Sequence, residues 1–281
     1  MGARLPLASL RAAAAALLGL VIACPPAAAD ELVRFASAGQ GGEIQGYLTR
    51  PEGRGPFPAV VLLHTCLGLP RERASIGERI AAFGYVALFV DDFGTRGLKE
   101  TCAVDFEPAL GDAYGALRYL SRLSDVDPAR IAAVGFSQGG DTALRIATGA
   151  GAQDGAGFRA AAAFYPPCAN VDGARLAIPT LILVGARDEV TPAADCARLV
   201  KGQAPGMAKL VVYPGAAHAF DLTEFGPETK VMGMTLAYDR GAASRSWAEL
   251  RAFLAARLAR APARGDRRRP CSRHNPDHSS C

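Results

Sequence analysis

One serine in the middle of the chain stands in a pattern that favours nucleophilic chemistry. Residues 135–140 read GFSQGG, which contains the spacing G-x-S-x-G, and they lie between an apolar run and a segment of helical character. A sharp strand-to-helix turn leaves no room for Cβ atoms beside a strained serine, so glycines are expected around it. At the start of the helix, the N–H of Gln138 is placed to bind a developing oxyanion. The pattern therefore predicts Ser137 as a nucleophile.

A serine nucleophile needs a base and an acid that orients the base, and candidates for both follow in the chain. Asp188 comes directly after a strongly apolar run, and His218 comes directly after the last such run. Of the four histidines, two lie near the end of the chain and His64 ends an early strand, which leaves His218 as the candidate base. Glu189 is the alternative acid, but the position next to the strand favours Asp188.

A second oxyanion donor is expected in the loop that follows the strand ending at His64. The backbone N–H of Cys66, or alternatively that of Thr65, is the candidate. His64 either holds this loop by a hydrogen bond or caps the strand, and we also consider it as a substrate-binding residue. The sequence shows no partner ligands for a metal at His64. Acyl transfer through a serine, a histidine and an acid needs neither a metal nor an organic cofactor.

Short apolar runs alternate with amphipathic segments through the middle of the chain. This alternation is typical of βαβ units and of a mostly parallel sheet that helices cover on both faces. The predicted strands are 32–34, 44–49, 59–64, 86–90, 131–134, 160–164, 180–184 and 210–213. The predicted helices include 76–83, 108–123, the segment after Ser137, and a closing helix around Trp247. The fold class is therefore predicted to be α/β.

The beginning of the chain has the character of a targeting segment. Arg4 and Arg11 precede and flank an apolar run over 12–23, and an A-x-A sequence follows, which together predict a signal peptide over 1–29. A lipoprotein box ending at Cys24 is an alternative, with a lipid anchor on that cysteine. The run is shorter than the about 20 residues that span a bilayer. The protein is therefore expected to be periplasmic or secreted.

The formal net charge of +4 is concentrated at the ends of the chain. Residues 261–281 are rich in arginine and lack an apolar pattern, which predicts a disordered basic tail. The residues between 30 and 260 are nearly balanced in charge and are predicted to form one domain. A balanced surface of this kind gives no reason to expect a nucleic-acid partner.

Export makes disulfides the expected state of paired cysteines. Of the seven cysteines, four lie in the predicted domain: Cys66, Cys102, Cys168 and Cys196. Their spacing contains no C-x-x-C pattern of a zinc site. Four cysteines allow three pairings, and the spacing does not choose among them.

The chain resembles the dienelactone hydrolase family over nearly all of residues 32–256. The blocks that carry the resemblance are LHTCLGL at 63–69, FGYVA at 83–87, DDFGTRG at 91–97, GFSQGG at 135–140, FYP at 164–166 and HAFD at 218–221. The resemblance implies an α/β-hydrolase fold, with a mostly parallel sheet of about eight strands and helices on both faces. It also implies the nucleophile, acid and base at Ser137, Asp188 and His218.

The chain departs from the family pattern at several positions. Typical members use a cysteine nucleophile and a glutamate in the oxyanion loop, where this chain has Ser137 and Thr65. They also bind the substrate carboxylate through two arginines. Arg96 matches the first, and its alternative role is that of a surface arginine in a glycine-rich loop. At the place of the second, the chain has Asp221 and Leu222.

In these positions the chain resembles the exported branch of the family, which has a serine nucleophile and extra cysteines near the active-site loops. That resemblance implies the pairs Cys66–Cys102 and Cys168–Cys196. We interpret the segment 222–238, which lacks a clear period, as an ordinary surface loop rather than as part of a substrate wall.

Together, the motifs and the resemblance predict an exported serine hydrolase that cleaves a small-molecule carboxylic ester or lactone through an acyl-enzyme. Two alternatives remain: a peptidase or deacetylase of the same fold, and an exported binding protein without catalysis. A peptidase of this type usually carries a large extra domain, for which a chain of 281 residues has no room. We expect a monomer.

Overall fold

The structure is a computed structural model that describes Gly2 and residues 30–39, 42–104, 106–152 and 157–260. Apart from Gly2, the predicted signal peptide over 1–29 and the predicted tail over 261–281 lie outside the described residues, as does Cys24. Within the predicted domain of 30–260, the structure describes all residues except 40–41, 105 and 153–156.

A central sheet of eight strands organises the described residues, in the order β1-β2-β4-β3-β5-β6-β7-β8. Its strands are β1 (Glu31–Ala36), β2 (Glu43–Thr49), β3 (Phe57–Leu63), β4 (Val86–Asp91), β5 (Val126–Phe136), β6 (Ala160–Phe164), β7 (Thr180–Gly185) and β8 (Ala208–Tyr213). Strands β3 to β8 run parallel, whereas β2 is antiparallel to both β1 and β4. The predicted mostly parallel sheet of about eight strands is confirmed.

Helices cover both faces of this sheet, which explains why its central strands are apolar throughout. The helices are α1 (Arg73–Ala82), α2 (Pro108–Leu120), α3 (Gln138–Ala147), α4 (Ala193–Lys201) and α5 (Arg240–Arg257). Helices α1 and α5 pack on one face through residues such as Ile80 and Trp247. Helices α2, α3 and α4 pack on the other, for example through Leu117, Leu144 and Leu199.

The structure contains elements that the apolar pattern did not predict. Helix α4 is one, and a small hairpin of β9 (Thr229–Val231) and β10 (Met234–Leu236) is the other. This hairpin lies within the segment 222–238, and Leu236 forms a bridge with His218. Its three-residue strands are too short to show an alternating pattern in the sequence.

The parallel strands end at one edge of the sheet, and the loops after them carry four of the candidate residues from the sequence, together with Asp92. His64 follows β3, Asp92 follows β4, Ser137 follows β5, Asp188 lies three residues beyond β7, and His218 lies five residues beyond β8. Ligands of open α/β sheets bind at this carboxyl edge. The fold therefore brings residues that are up to 154 positions apart to one place.

Candidate active site

Ser137 sits at a strained turn between β5 and α3. Its φ is 53° and its ψ is −113°, in a region that residues with a Cβ rarely adopt. A Cβ on Gly135 would lie 1.9 Å from the carbonyl oxygen of Gly139, and one on Gly139 would lie 2.3 Å from that of Leu63. Both glycines are therefore required by close packing of the backbone, as the motif predicted.

A chain of hydrogen bonds connects the serine to a buried histidine and a buried carboxylate. His218 Nε2 lies 2.9 Å from Ser137 Oγ, and His218 Nδ1 lies 2.8 Å from Asp188 Oδ2. A carboxylate can only accept, so Nδ1 carries the proton and donates to Asp188. Nε2 is then the acceptor that faces the serine hydroxyl. The structure thus brings Ser137, Asp188 and His218 together.

The Asp188 carboxylate is fixed by its own loop. Its Oδ1 accepts hydrogen bonds from the backbone N–H groups of Val190 and Thr191, at 2.9 and 2.8 Å. The Thr191 hydroxyl lies 2.9 Å from Asp188 Oδ2 and 3.1 Å from the carbonyl oxygen of Tyr165. Because the acceptor sites of Asp188 are occupied, its side chain can present Oδ2 to His218 in one orientation only. Glu189 takes no part in this network.

Two backbone N–H groups next to Ser137 are available for a ligand oxygen. Among the described residues, none accepts a hydrogen bond from the N–H of Cys66 or of Gln138. Both residues line the same cleft as Ser137. Free N–H groups at a helix start and in the loop after β3 are the arrangement of an oxyanion hole.

The segment around Thr101 holds both of these donor residues. The Thr101 N–H donates to the carbonyl of Cys66 at 2.9 Å, and its hydroxyl donates to Gln138 Oε1 at 2.8 Å. A disulfide joins Cys66 to Cys102 across 36 residues of sequence. This segment therefore positions the two candidate oxyanion donors relative to each other.

The second disulfide lies on the other side of the site. Cys168 is joined to Cys196 across 28 residues, and Cys196 is on α4, the helix after the Asp188 loop. Both pairings are those that the family resemblance implied.

His64 does not contact the cleft, contrary to its prediction as a substrate-binding residue. Its ring is buried beneath the loop after β3, with Nδ1 2.7 Å from the carbonyl oxygen of Thr65 and Nε2 2.7 Å from Asp92 Oδ1. The contact with Asp92 has the distance of an ion pair, although its direction does not suit a hydrogen bond. Burial lowers the pKa of His64, but Asp92 and the Thr65 carbonyl outweigh it, so the pKa is raised.

Arg96 also has a role other than the predicted anion anchor. Its guanidinium forms a two-pronged ion pair with Asp112, at 2.7 and 3.0 Å, and donates to the carbonyl of Asp92 at 2.5 Å. Asp112 is fully buried on α2, and burial raises its pKa despite Arg96. A buried carboxylate of this kind needs a cationic partner. Arg96 is therefore bound within the protein and does not line the cleft at Ser137.

Tyr165 lies behind His218 and connects it to a second buried carboxyl group. The rings of Tyr165 and His218 are 4.7 Å apart, and the Tyr165 hydroxyl donates to Asp221 Oδ1 at 2.7 Å. Burial raises the pKa of Asp221 to about 7. It also raises the pKa of Tyr165. Asp221 is thus a buried acid near the base, although it does not contact His218.

Ser137 opens onto two cavities of different character. The wider one, of about 490 Å³, is a polar cleft that includes Glu107, Gln138, Asp141, Arg145 and Asn170. The narrower one, of about 10 Å³, is apolar, touches His218, and is closed by Leu67, Phe225, Met234 and Leu236. A space of this size holds about one water molecule. The interpretation of 222–238 as an ordinary surface loop was therefore wrong, since three of its residues form the wall of this pocket.

Neither a metal-ligand cluster nor a membrane-spanning helix occurs among the described residues. No three histidine, cysteine, aspartate or glutamate side chains in the described ranges converge as a metal-ligand set. In the same part of the chain, no helix is both long and apolar enough to cross a bilayer.

The sheet order, the strained serine at the end of β5 and the histidine after β8 define an α/β-hydrolase. The profile of the Dienelactone hydrolase family matches residues 44–258, so the chain belongs to that family. The solved structure of a dienelactone hydrolase-like promiscuous phosphotriesterase from metagenomic libraries superposes with a TM-score of 0.66 at 22% identity, covering 81% of this chain and 99% of that one. At this identity the likeness concerns the fold.

Curated relatives match over a shorter part. Cutinase 1 of Thermobifida cellulosilytica is 28% identical over 169 residues, which cover 60% of this chain and 61% of the cutinase. A Bradyrhizobium protein named "Probable 2-oxo-3-(5-oxofuran-2-ylidene)propanoate lactonase" is 28% identical over 201 residues, covering 65% of this chain and 81% of that protein. The chain thus spans about three fifths of the length of the cutinase that it matches.

Several residues of the site were not found from the sequence. Thr191, Tyr165 and Asp92 are ordinary polar residues in loops, and their partners are distant in the chain. Asp92 had one signal: it follows β4, which neighbours β3, so its side chain was bound to lie near His64 at the same sheet edge. Met234 lies in the segment 222–238, where the lack of a clear period led us to prefer a surface loop over a substrate wall.

Proposed function

We propose that the protein is a serine hydrolase that cleaves a carboxylic ester or lactone, with Ser137 as nucleophile, His218 as general base and Asp188 as the residue that orients the base. The observation that carries this proposal is the continuous contact from Asp188 through His218 to Ser137, at 2.8 and 2.9 Å. These distances suit proton transfer without rearrangement. The names of the relatives, cutinase and lactonase, support the same reaction class.

The reaction proceeds in two halves. Ser137 Oγ attacks the carbonyl carbon while its proton passes to His218 Nε2, and Asp188 stabilises the imidazolium that forms. The carbonyl oxygen becomes an oxyanion held by the N–H groups of Cys66 and Gln138. His218 then gives the proton to the leaving oxygen, which departs as an alcohol or, in a lactone, as the free end of the same molecule. Water repeats these steps on the acyl-enzyme and releases the acid.

The two cavities suggest the shape of the substrate. The narrow apolar pocket beside His218 accepts a group of about the size of a methyl, whereas the polar cleft accepts a larger arm. Arg96 is paired with Asp112 and gives the cleft no carboxylate anchor. We therefore propose a substrate with one short apolar arm and one larger polar arm, and without the paired carboxylate contacts that typify the family.

We propose that the protein acts in the periplasm or outside the cell. The proposal is supported by the two disulfides, because such bonds persist in oxidising compartments. The basic and apolar start of the sequence supports it as well.

The function is tested by hydrolysis of p-nitrophenyl acetate, butyrate and octanoate by the full chain, beside its Ser137→Ala variant. We expect turnover in the parent and a loss of about 10⁶-fold in the variant. A decline in kcat/KM with acyl length would place the acyl arm in the narrow pocket, and the reverse would place it in the cleft. A folded parent without turnover would instead favour a peptidase, a deacetylase or a binding protein. Turnover that survives in Ser137→Ala would disprove the assignment of the nucleophile.

A further inference from the structure

His64 is buried and has charged or polar groups at both ring nitrogens. Nδ1 faces the carbonyl oxygen of Thr65, and Nε2 faces the carboxylate of Asp92, each at 2.7 Å. The Thr65 carbonyl oxygen can only accept, so Nδ1 carries a proton, and the Asp92 carboxylate beside Nε2 lies at the distance of an ion pair. The Phe93 ring packs against the His64 ring in a T-shaped arrangement, with the ring centroids 4.5 Å apart, and closes a further side. Asp92 and the Thr65 carbonyl thus favour the imidazolium form of the ring, and protein oxygens face both nitrogens, so neither is open to a substrate.

The carbonyl that His64 contacts belongs to the peptide unit that supplies one candidate oxyanion donor. The C=O of Thr65 and the N–H of Cys66 share one planar, conjugated peptide group. A cation bound to the oxygen draws electron density through the C–N bond, so the N–H becomes a stronger donor. It also fixes the plane of the peptide, and hence the direction of that N–H.

The backbone of His64 is attached to the nucleophile turn as well. Its carbonyl oxygen accepts a hydrogen bond from Gly139 N–H at 3.0 Å, one residue after the second candidate donor, Gln138. A Cβ at position 139 would lie 2.5 Å from this same oxygen, so the contact depends on glycine. His64 thus links the loop after β3 to the first turn of α3.

We propose that the imidazolium of His64, held by Asp92, is a positioning residue that orients and polarises the Cys66 N–H in the oxyanion hole. The inference rests on the proposed ester hydrolysis at Ser137. It assigns to this buried pair an effect on the transition state, because the oxyanion forms only there. Loss of the charge should therefore lower kcat and leave KM unchanged.

The experiment compares the full chain with Asp92→Asn, His64→Asn and the double variant, using p-nitrophenyl acetate at pH 7.5. The asparagine at 92 keeps the shape and removes the charge, whereas the asparagine at 64 keeps a donor near the Thr65 carbonyl. Each single variant should lower kcat about tenfold, the ratio between a charge-assisted and a neutral hydrogen bond, with KM within about twofold. The double variant should be no worse than the singles, because both act through one pair.

Asp112→Asn is the matched control, since it also breaks a buried ion pair close to Asp92 but does not contact His64. It should lower stability in urea and leave kcat unchanged. If Asp92→Asn has the kcat of the parent, or if Asp112→Asn loses as much as Asp92→Asn, the inference is wrong. If the parent has no turnover that depends on Ser137, the proposed function fails, and the inference fails with it.

A measurement on the parent alone keeps the inference testable if the variants do not fold. The ¹⁵N chemical shifts of the imidazole groups show whether a histidine carries one proton or two. At pH 7.5 one buried histidine should be doubly protonated and should be identified as His64 by its contact with the Phe93 ring. A neutral His64 would overturn the proposal.

Discussion

Two buried histidines lie on opposite sides of Ser137, and each touches a carboxylate that follows a parallel strand. His218 is 2.8 Å from Asp188, and His64 is 2.7 Å from Asp92. The difference is at the other ring nitrogen. In His218 it faces a hydroxyl that can give up a proton, whereas in His64 it faces a backbone carbonyl that cannot. A carboxylate partner therefore does not make a histidine a base; the group at the second nitrogen does.

The two regions also differ in what supports them. On the His64 side, the Thr101 segment and the Cys66–Cys102 disulfide hold backbone donors. On the His218 side, Thr191 contacts the Asp188 side chain and Tyr165 packs against the His218 ring, so side chains rather than backbone groups are positioned. We infer that the first region binds developing negative charge and the second moves a proton.

The largest expected effect comes from the same substitution at the two histidines. His218→Asn should lower kcat by about 10⁶-fold, because removing the base of such a site disables the serine. His64→Asn should lower it only about tenfold, since it weakens one donor. Steady-state kinetics on both folded variants measure the ratio. Comparable losses would contradict the distinction between the two regions.

The carboxylates that contact the two histidines should differ in the same way. Loss of the Asp188 charge should lower kcat more than loss of the Asp92 charge. Asp188→Asn should lower kcat by about 10⁴-fold, because the neutral amide favours the wrong tautomer of His218 and does not stabilise its cation. Kinetics between pH 6 and 9 measure this loss. An Asp188→Asn variant no slower than Asp92→Asn would show that Asp188 does not orient the base.

The two disulfides should separate stability from activity. Replacing either pair by serines should lower the free energy of unfolding by about 3–4 kcal/mol, because the closed loops of 36 and 28 residues are similar in length. Only the loss of Cys66–Cys102 should also lower kcat, by roughly ten- to a hundredfold, since it misplaces the oxyanion loop.

Urea unfolding and kinetics of the two double variants check this prediction. The Cys168/Cys196 variant is the control, with kcat expected within about twofold of the parent. Equal losses of kcat in both variants would mean that the first disulfide has no special effect on the site.

The smallest expected effect concerns Asp221. Its carboxyl group contacts the neutral hydroxyl of Tyr165, whereas the carboxyl group of Asp92 contacts the His64 ring. With its pKa raised to about 7 from 3.8, folded Asp221 keeps a proton that the unfolded chain has released. The free energy of unfolding should therefore fall as the pH rises from about 4 to 7, by at most about 4 kcal/mol from this group, and level off above. Asp221→Asn should flatten this fall, because the amide has no proton to lose.

Urea unfolding at pH 5 and pH 8 measures the effect. Asp127→Asn is the control, since its carboxyl is only partly buried and its pKa is lowered, chiefly by its hydrogen bond with Arg130. The control should retain the fall between the two pH values. An unchanged fall in Asp221→Asn would show that another group titrates.

The sequence predicted what depends on local pattern and chain order. The apolar strands and the GFSQGG turn predicted the sheet, the position of Ser137, and the loops of Asp188 and His218. It offered the loop-holding hydrogen bond of His64 as one alternative, but it did not predict the ion pairs of Arg96 and His64, because a side chain's partner depends on which strands and helices become neighbours. Asp112 lies on α2 and Asp92 follows β4. Only the folded chain shows that these two carboxylates are the partners of Arg96 and His64.

Reaction of the full chain with a fluorophosphonate tests the central claim most directly, because the reagent bonds only to an activated serine beside an oxyanion hole. Intact mass and peptide mapping should show one adduct, on Ser137, together with complete loss of ester hydrolysis. The same treatment should leave Ser137→Ala unlabelled and should label His218→Asn far more slowly. An adduct on another residue, or a fully labelled protein that still hydrolyses esters, would contradict the account.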